Sequence, residues 1–291
     1  MLSVLTDLKG PIMNGLLLGG LYGIVGIGMS MIFGIVRVVN LAHGDLVILA
    51  SYLSFVTMTF FKVSPLLTLV LVIPAMFLIG FIIQYGLINR VLGKDMNPPL
   101  LVAFGLSIIL QNLLLLIFTP DARALLTSIS VATLPIGGFL NIPVVYLMDF
   151  MVSLITIFLL SRFLSRTYLG KAIRAASDDE GAAELMGINT KNIYAWAMAL
   201  AGGTAAVAGV LVGMTFTFYP HTGPEYLIIA FGVVVIGGLG SMKGTLAGGL
   251  ILAVAQLLGA QIFGPGFQLF CGYVVLLVVL ALRPQGIFGR V

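Results

Sequence analysis

Charge is scarce in this chain. Only 8% of its 291 residues are Asp, Glu, Lys or Arg, against 60% hydrophobic residues, and the mean hydropathy is +1.19. A water-soluble domain carries roughly 25% charged residues. So few charges cannot clothe a globule of this size in water, which excludes a soluble protein and leaves an integral membrane protein. The single cysteine, Cys271, excludes an intrachain disulfide. Two histidines, with no cysteine beside either, are too few ligands for a metal centre. Gly-x-Ser-x-Gly, His-Glu-x-x-His and Gly-x-x-x-x-Gly-Lys-Ser/Thr are all absent. Hydrolytic catalysis, and ATP cleavage by the chain itself, are therefore not expected. The net charge of +4 is too small, in a chain so apolar, to argue for nucleic acid. Cationic loops facing an anionic leaflet account for it better. No cationic n-region or small-residue cleavage site is present at the start, so no removable signal peptide is expected.

Long apolar runs are what the chain does have. A helix crossing the hydrocarbon needs about 20 apolar residues, and candidates run from Ile12 to Val36, Leu41 to Phe61, Leu66 to Ile88, Leu100 to Phe118, Val144 to Leu160 and Ile193 to Phe218. Three more follow, at Tyr226 to Leu239, Leu246 to Ile262 and Phe267 to Leu282. The first of these three is short for a crossing and reads as a half-helix or re-entrant piece. The fold class expected is an all-α, polytopic membrane helix bundle, a single transmembrane domain over 1–291, of about nine spans within a range of eight to ten. The 36 glycines and 12 prolines favour close helix packing and broken helices.

Basic residues orient the bundle. With the first span entering from outside, Arg37, Arg90, Lys94, Arg162, Arg166, Lys171, Arg174, Lys191, Lys243, Arg283 and Arg290 fall inside, and Lys9, Lys62 and Arg123 outside. The bias predicts the N-terminus outside, the C-terminus in the cytoplasm and an odd number of spans. The outer connection Thr119 to Pro143, with Pro120, Pro135, Gly137, Gly138 and Pro143, reads as a connector or a surface for an extracytoplasmic partner.

Small residues recur four apart at Gly15, Gly19 and Gly23, at Ala205, Gly209 and Gly213, and at Gly240, Gly244 and Gly248. That spacing puts each set on one helix face for close packing, which is also compatible with helices that rock to open a path. Asn40-Leu41-Ala42-His43-Gly44-Asp45 interrupts an apolar stretch. Asn40 is expected to cap a helix and Asp45 to sit at its positive end; the alternative is that His43 and Asp45 line a gate or pathway. His221 and Glu225, in a turn-rich stretch, read as solvated loop residues or as part of an outer gate. Gly-rich helices lead to both sites, hinting at an inverted repeat.

The loop from Arg162 to Lys191 carries five basic and four acidic residues. Within it, Ser177 or Asp178 is expected to cap a short helix over Asp179 to Met186, with Asp179 and Glu180 in its first turn and Gly187 at its exit. Ala182, Ala183 and Met186 would form a small apolar knob that seats in a groove of another protein, with charges around it fixing register.

Gly181-Ala182-Ala183-Glu184-Leu185-Met186-Gly187 resembles the Glu-Ala-Ala-x-x-x-Gly loop by which bacterial ABC-importer permeases engage their ATPases. It departs at the first position, which is Gly181 with Glu180 displaced by one, and lacks the Ile-x-Leu-Pro continuation. The Gly-rich first helix, Asn40 to Asp45, Gly-x-Ala-x-Arg-Ala at Gly170 to Ala175, and Gly187-Ile188-Asn189 together resemble the branched-chain amino acid permease family. Within that family the chain is similar to the LivH-type subunit rather than the longer LivM-type one, over about Met13 to Arg283. The resemblance implies a bacterial inner-membrane subunit importing leucine, isoleucine and valine. It would act with a second, LivM-type permease, two cytoplasmic ATPase subunits that use the ATP, and a periplasmic binding protein. The chain itself would need no cofactor and do no covalent chemistry. The resemblance places ATPase coupling on Arg174, Asp178, Glu180, Ala182, Ala183, Glu184 and Gly187. Urea-type and more distant sugar permeases share the family, so urea or short amides are the alternative cargo. An ion-coupled secondary transporter using Asp45 or Glu225, a channel and a structural scaffold are the rival classes.

Overall fold

The computed structural model describes residues 8–93, 97–136 and 140–289. Lys94, Gly137, Gly138 and Arg290, which the charge and turn patterns place in loops, lie outside the described residues. Eight described helices are long and apolar enough to cross a membrane, and one shorter apolar helix accompanies them. The first four are α1 (Lys9–Val36), α2 (His43–Phe61), α3 (Pro65–Ile83) and α4 (Asn97–Phe118). Helix α3 continues through a π-turn at Gln84–Ile88 into Asn89–Val91. The connection read as a linker or docking surface folds as α5 (Ser128–Val131) and a hairpin of β1 (Thr133–Ile136) and β2 (Leu140–Pro143), paired antiparallel with Thr133 opposite Pro143. Then come α6 (Val144–Arg166), α7 (Tyr168–Asp178), α8 (Glu180–Leu185) and α9 (Thr190–Thr215). The short α10 (Gly223–Gly237), α11 (Met242–Phe263) and α12 (Gln268–Leu282) complete the bundle. Helices dominate because inside hydrocarbon each backbone N–H and C=O must find its partner within the segment.

Helices α1 and α9 form the buried axis of the bundle. Small residues make this possible. Gly15, Gly19 and Gly23 meet Val254, Leu250 and Leu246 of α11 in turn, the matching four-residue steps of two antiparallel helices. A Cβ on Gly15 would come within 2.7 Å of the Val254 Cα, so backbone approaches backbone where a side chain would hold the helices apart. On the other flank, Gly80 of α3 abuts the Met198 carbonyl and Gly202 of α9 abuts the Met76 carbonyl. The pairing of α1 with α11 and of α9 with α3 maps onto itself when α1–α4 are exchanged with α9–α12, the relation an inverted repeat requires.

Several expected boundaries move. The short helix begins at Gly223 rather than Tyr226, because Gly223 and Pro224 build its first turn. Gly240 precedes α11 at φ 79°, so Gly240, Gly244 and Gly248 do not share one helix face. Gly244 and Gly248 do share a face, against Gly237 and Val233 of α10, while Gly240 meets Gly34 of α1.

The basic loops gather at one end of the bundle. The Arg37 guanidinium approaches the Ser177 carbonyl at 3.5 Å, Asn89 beside Arg90 donates to the Lys191 carbonyl, and Ile287 beyond Arg283 donates to the Ile236 carbonyl. Arg123, which pairs with Phe218 beyond the far end of α9, and Lys62, at the C-terminal end of α2, lie at the opposite end.

Candidate functional site

Two helices begin inside the bundle. Helix α1 stops at Arg37, whose left-handed backbone (φ 58°) and N–H bond to the Phe33 carbonyl close its last turn. Residues 38–42 then turn back between the helices. They bring His43 beside the middle of α1, where its Nε2 lies 2.8 Å from the Val25 carbonyl oxygen. The start of α10 mirrors this. Phe218 pairs with Arg123 at the far end, and a turn closed by the Thr222 hydroxyl on the Tyr219 carbonyl (2.7 Å) leads inward to Gly223.

The two N-termini meet. A Cβ on Gly44 would overlap the Gly223 carbonyl, and one on Gly223 would overlap the Asp45 carboxylate. Only glycine permits this approach from either side. The positive ends of two helix dipoles thus converge on one carboxylate. Asp45 is 2% exposed. Its Oδ2 accepts from the Ser107 hydroxyl at 2.5 Å, and the Ser107 oxygen in turn accepts from the Gln111 amide at 3.1 Å. Its Oδ1 has no hydrogen-bond partner among the described residues.

The structure brings Asn40, His43 and Asp45 to this one buried junction. Asn40 does not cap α2, which starts at His43. Instead its Oδ1 accepts from the Ala42 N–H (3.1 Å) and its carbonyl from the His43 N–H (3.1 Å), a turn that re-aims the chain into the bundle. His221 and Glu225 are not drawn in. His221 is exposed and stacks on Tyr219 with ring centroids 5.3 Å apart. Glu225 is in the first turn of α10 rather than a loop, and is exposed.

Other buried polar pairs were not anticipated. The Tyr22 hydroxyl donates to the Gln256 side-chain oxygen at 2.7 Å, and the Thr215 hydroxyl to Asp149 Oδ2 at 2.6 Å. Asp149 is fully buried, and its Oδ1 and the Ser153 hydroxyl one turn on have no partner among the described residues. The available signal was a carboxylate inside the Val144 to Leu160 run, since ionisable groups in spans are costly and mark functional positions. No three His, Cys, Asp or Glu side chains converge to hold a metal among the described residues.

At the basic end, the short helix expected over Asp179 to Met186 forms as α8, and a helix that was not expected, α7, precedes it. Helix α7 ends at Asp178, and Asp179 rather than Ser177 or Asp178 caps α8, accepting from the Ala182 N–H at 2.9 Å. Gly187 follows at φ 81°, the left-handed exit expected of it. The apolar knob is composed differently from expectation. Ala183 is 4% exposed and faces the bundle, whereas Leu185, at 91%, and Met186, at 83%, project outward beside Ala182. Ala183 is turned to the bundle while Ala182 and Met186 stay exposed, so the three do not form one outward knob. Glu184 accepts from the Thr190 hydroxyl at 2.6 Å, tying α8 to α9. Arg174 donates to the Ser165 carbonyl at 3.3 Å, folding α7 back on α6. Asp178 and Glu180 line a cleft of about 340 Å³ with Arg37 and Tyr194. Ser177, which sequence reasoning treated only as a cap, donates its hydroxyl to the Gly34 carbonyl near the end of α1.

Discontinuous helices whose N-termini meet within a polytopic bundle are the architecture of membrane transport proteins. The family model described as branched-chain amino acid transport system / permease component matches residues 12–281. The chain is 34% identical to the high-affinity branched-chain amino acid transport system permease protein BraD of Pseudomonas aeruginosa, covering 96% of this chain and 95% of that one. It is 32% identical to the corresponding permease protein LivH of Escherichia coli, over 95% and 94% of the two chains. Among solved structures, PsaBC from Streptococcus pneumoniae in complex with Fab aligns with a TM-score of 0.51 at 13% identity, over 97% of this chain and 94% of that one, a likeness of fold. The chain belongs to the family of branched-chain amino acid transport permease components.

Proposed function

We propose that this chain is one membrane subunit of an ABC importer for branched-chain amino acids, oriented with its N-terminus outside and its C-terminus in the cytoplasm. The observation that carries the reading is identity of 32–34% along nearly the whole chain to permeases of branched-chain amino acid transport. A second, LivM-type permease completes the path, a periplasmic protein delivers the substrate, and two ATPase subunits bind ATP and dock on α7–α8. The exposed Leu185 and Met186 are the side chains that would seat in the ATPase groove.

The hydrogen bonds at the basic end supply a transmission. ATPase closure displaces α7–α8. The Ser177 hydroxyl on the Gly34 carbonyl and the Arg37 guanidinium on the Ser177 carbonyl carry that displacement to the end of α1. From Arg37, five residues of non-helical chain lead to His43 and the α2–α10 junction. Movement there changes how the N-termini of α2 and α10 abut, and with it the population of outward- and inward-open states.

Uptake of radiolabelled leucine into proteoliposomes holding the complex, its binding protein and internal ATP tests the reading. Leucine uptake requiring both ATP and the binding protein supports it. Urea uptake without leucine uptake keeps the machine and changes the cargo, and flux of either without ATP removes the ABC mechanism.

A further inference from the structure

We infer that the cleft between the basic ends of α3 and α9 binds the phosphate-bearing headgroup of an anionic phospholipid. The cleft measures about 490 Å³ and is lined by Tyr85, Asn89 and Arg90 of the α3 continuation and by Asn189, Lys191 and Asn192 at the start of α9. Two cations and three amides face it, and no acidic side chain lines it among the described residues. Glu184 of α8, the acid closest in sequence to Asn189, is engaged by the Thr190 hydroxyl.

The wall is built rather than accidental. The π-turn at Gln84–Ile88 brings residues five apart over one another. Gln84, buried, therefore donates its amide to Asn89 Oδ1 at 3.0 Å. Asn89 passes this on, donating to the Lys191 carbonyl at 2.8 Å. The chain of bonds fixes Arg90 and Lys191 on opposite sides of one opening. An uninterrupted α-helix would set residues four apart in register and would not align Gln84 with Asn89.

An aromatic strip marks the ligand as lipid rather than a soluble anion. Tyr85, at the cleft, stacks on Phe81 with centroids 5.8 Å apart. Phe81 meets Trp196 of α9 edge-on at 5.2 Å, and Trp196 meets Phe77 at 5.8 Å. Tyr85 and Trp196 are exposed on the outer surface of the bundle. The strip therefore runs from the basic cleft along the α3–α9 seam toward the hydrocarbon. Tyr and Trp rings favour the membrane–water boundary, and basic pockets between membrane helices take anionic headgroups. A phosphate in the cleft with its acyl chain on the strip uses both features; inorganic phosphate would use only the first. In the orientation proposed above, this lipid belongs to the inner leaflet.

Trp196 is the only tryptophan and reports on the site directly. The full chain is reconstituted in phosphatidylcholine vesicles with about 10 mol % phosphatidylglycerol, one lipid or the other carrying acyl-chain bromines that quench tryptophan. Both leaflets hold the lipid, so the outcome does not depend on orientation or cargo. With each cation favouring the anionic headgroup roughly fivefold, brominated phosphatidylglycerol is expected to quench Trp196 several-fold beyond its share of the bilayer. The excess should vanish in R90Q/K191Q, vanish in N192D, which adds an opposing charge, and persist in R90K/K191R. Equal quenching by the two lipids in the native chain, or an excess that survives in R90Q/K191Q, overturns the proposal. Loss of the excess on adding about 10 mM inorganic phosphate at constant ionic strength also overturns it, in favour of a soluble anion.

Discussion

The carboxylate of Asp45, in the first turn of α2, lies against Gly223, the first residue of α10. One negative charge therefore serves the positive ends of two helices that enter the bundle from opposite directions. This accounts for a carboxylate at membrane depth with no cationic partner among the described residues, and it makes the glycines around it a steric requirement.

Gly44→Ala should be damaging out of proportion to its size. The new methyl group would overlap the Gly223 carbonyl, and backbone cannot step aside as a side chain can. The expected cost is about 1–3 kcal/mol, read as a lower melting temperature of the purified complex, together with reduced uptake. Gly105→Ala, in α4 with open space around it, is the matched control and should leave both unchanged. Equal behaviour of the two variants would show that the junction is not tightly packed.

Ser177→Ala removes the hydroxyl that holds α7 to the Gly34 carbonyl and leaves the outward side chains of α8 in place. ATPase subunits should still co-purify and hydrolyse ATP. Substrate imported per ATP should fall by a factor of about 2–30, the span of coupling energies carried by residues between two sites. An unchanged ratio would place the transmission elsewhere.

Leu185→Glu and Ala183→Arg separate the two faces of α8. Leu185 projects outward, so a carboxylate there should weaken ATPase retention by about 30-fold or more without changing the melting temperature of the permease. Ala183 faces the bundle, so Ala183→Arg should lower that melting temperature first. Size-exclusion chromatography and thermal scanning read the two effects apart, and identical effects would mean that α8 does not have an inner and an outer face.

Buried polar pairs should be worth modest amounts. Tyr22→Phe removes the donor to Gln256 at an expected cost of about 0.6 kcal/mol and at most about 1.7 kcal/mol. Asp149→Asn keeps an acceptor for the Thr215 hydroxyl and should retain uptake. Asp149→Leu strands that hydroxyl and should lose stability. A loss in the Asn variant as large as in the Leu variant would assign the negative charge itself a role.

Much of the bundle is legible from composition because hydrocarbon is a severe solvent. A run of apolar residues long enough to cross it has essentially one backbone solution, so the spans, the shortness of the Tyr226 to Leu239 segment and the alternation of basic loops could be read directly. The exit of α8 was also readable, since Gly187 is placed where a left-handed residue is needed. Helix α7 and the cap of α8 were not. The six-residue α8 has too few turns to show a periodicity, and which of Ser177, Asp178 and Asp179 caps it depends on where α7 stops.

The sequence alone determined that this is a helical membrane bundle, which of its ends is basic, and its family resemblance. These follow from solvent, charge and local motif, all of which act along the chain. Only the tertiary structure decided that Gly44 and Gly223, 179 positions apart, abut at Asp45, that Ala183 faces inward while Leu185 faces out, and that Arg90 and Lys191 flank one cleft. Those relations arise from contacts between segments far apart in the chain, and no local pattern records which partner a face will meet.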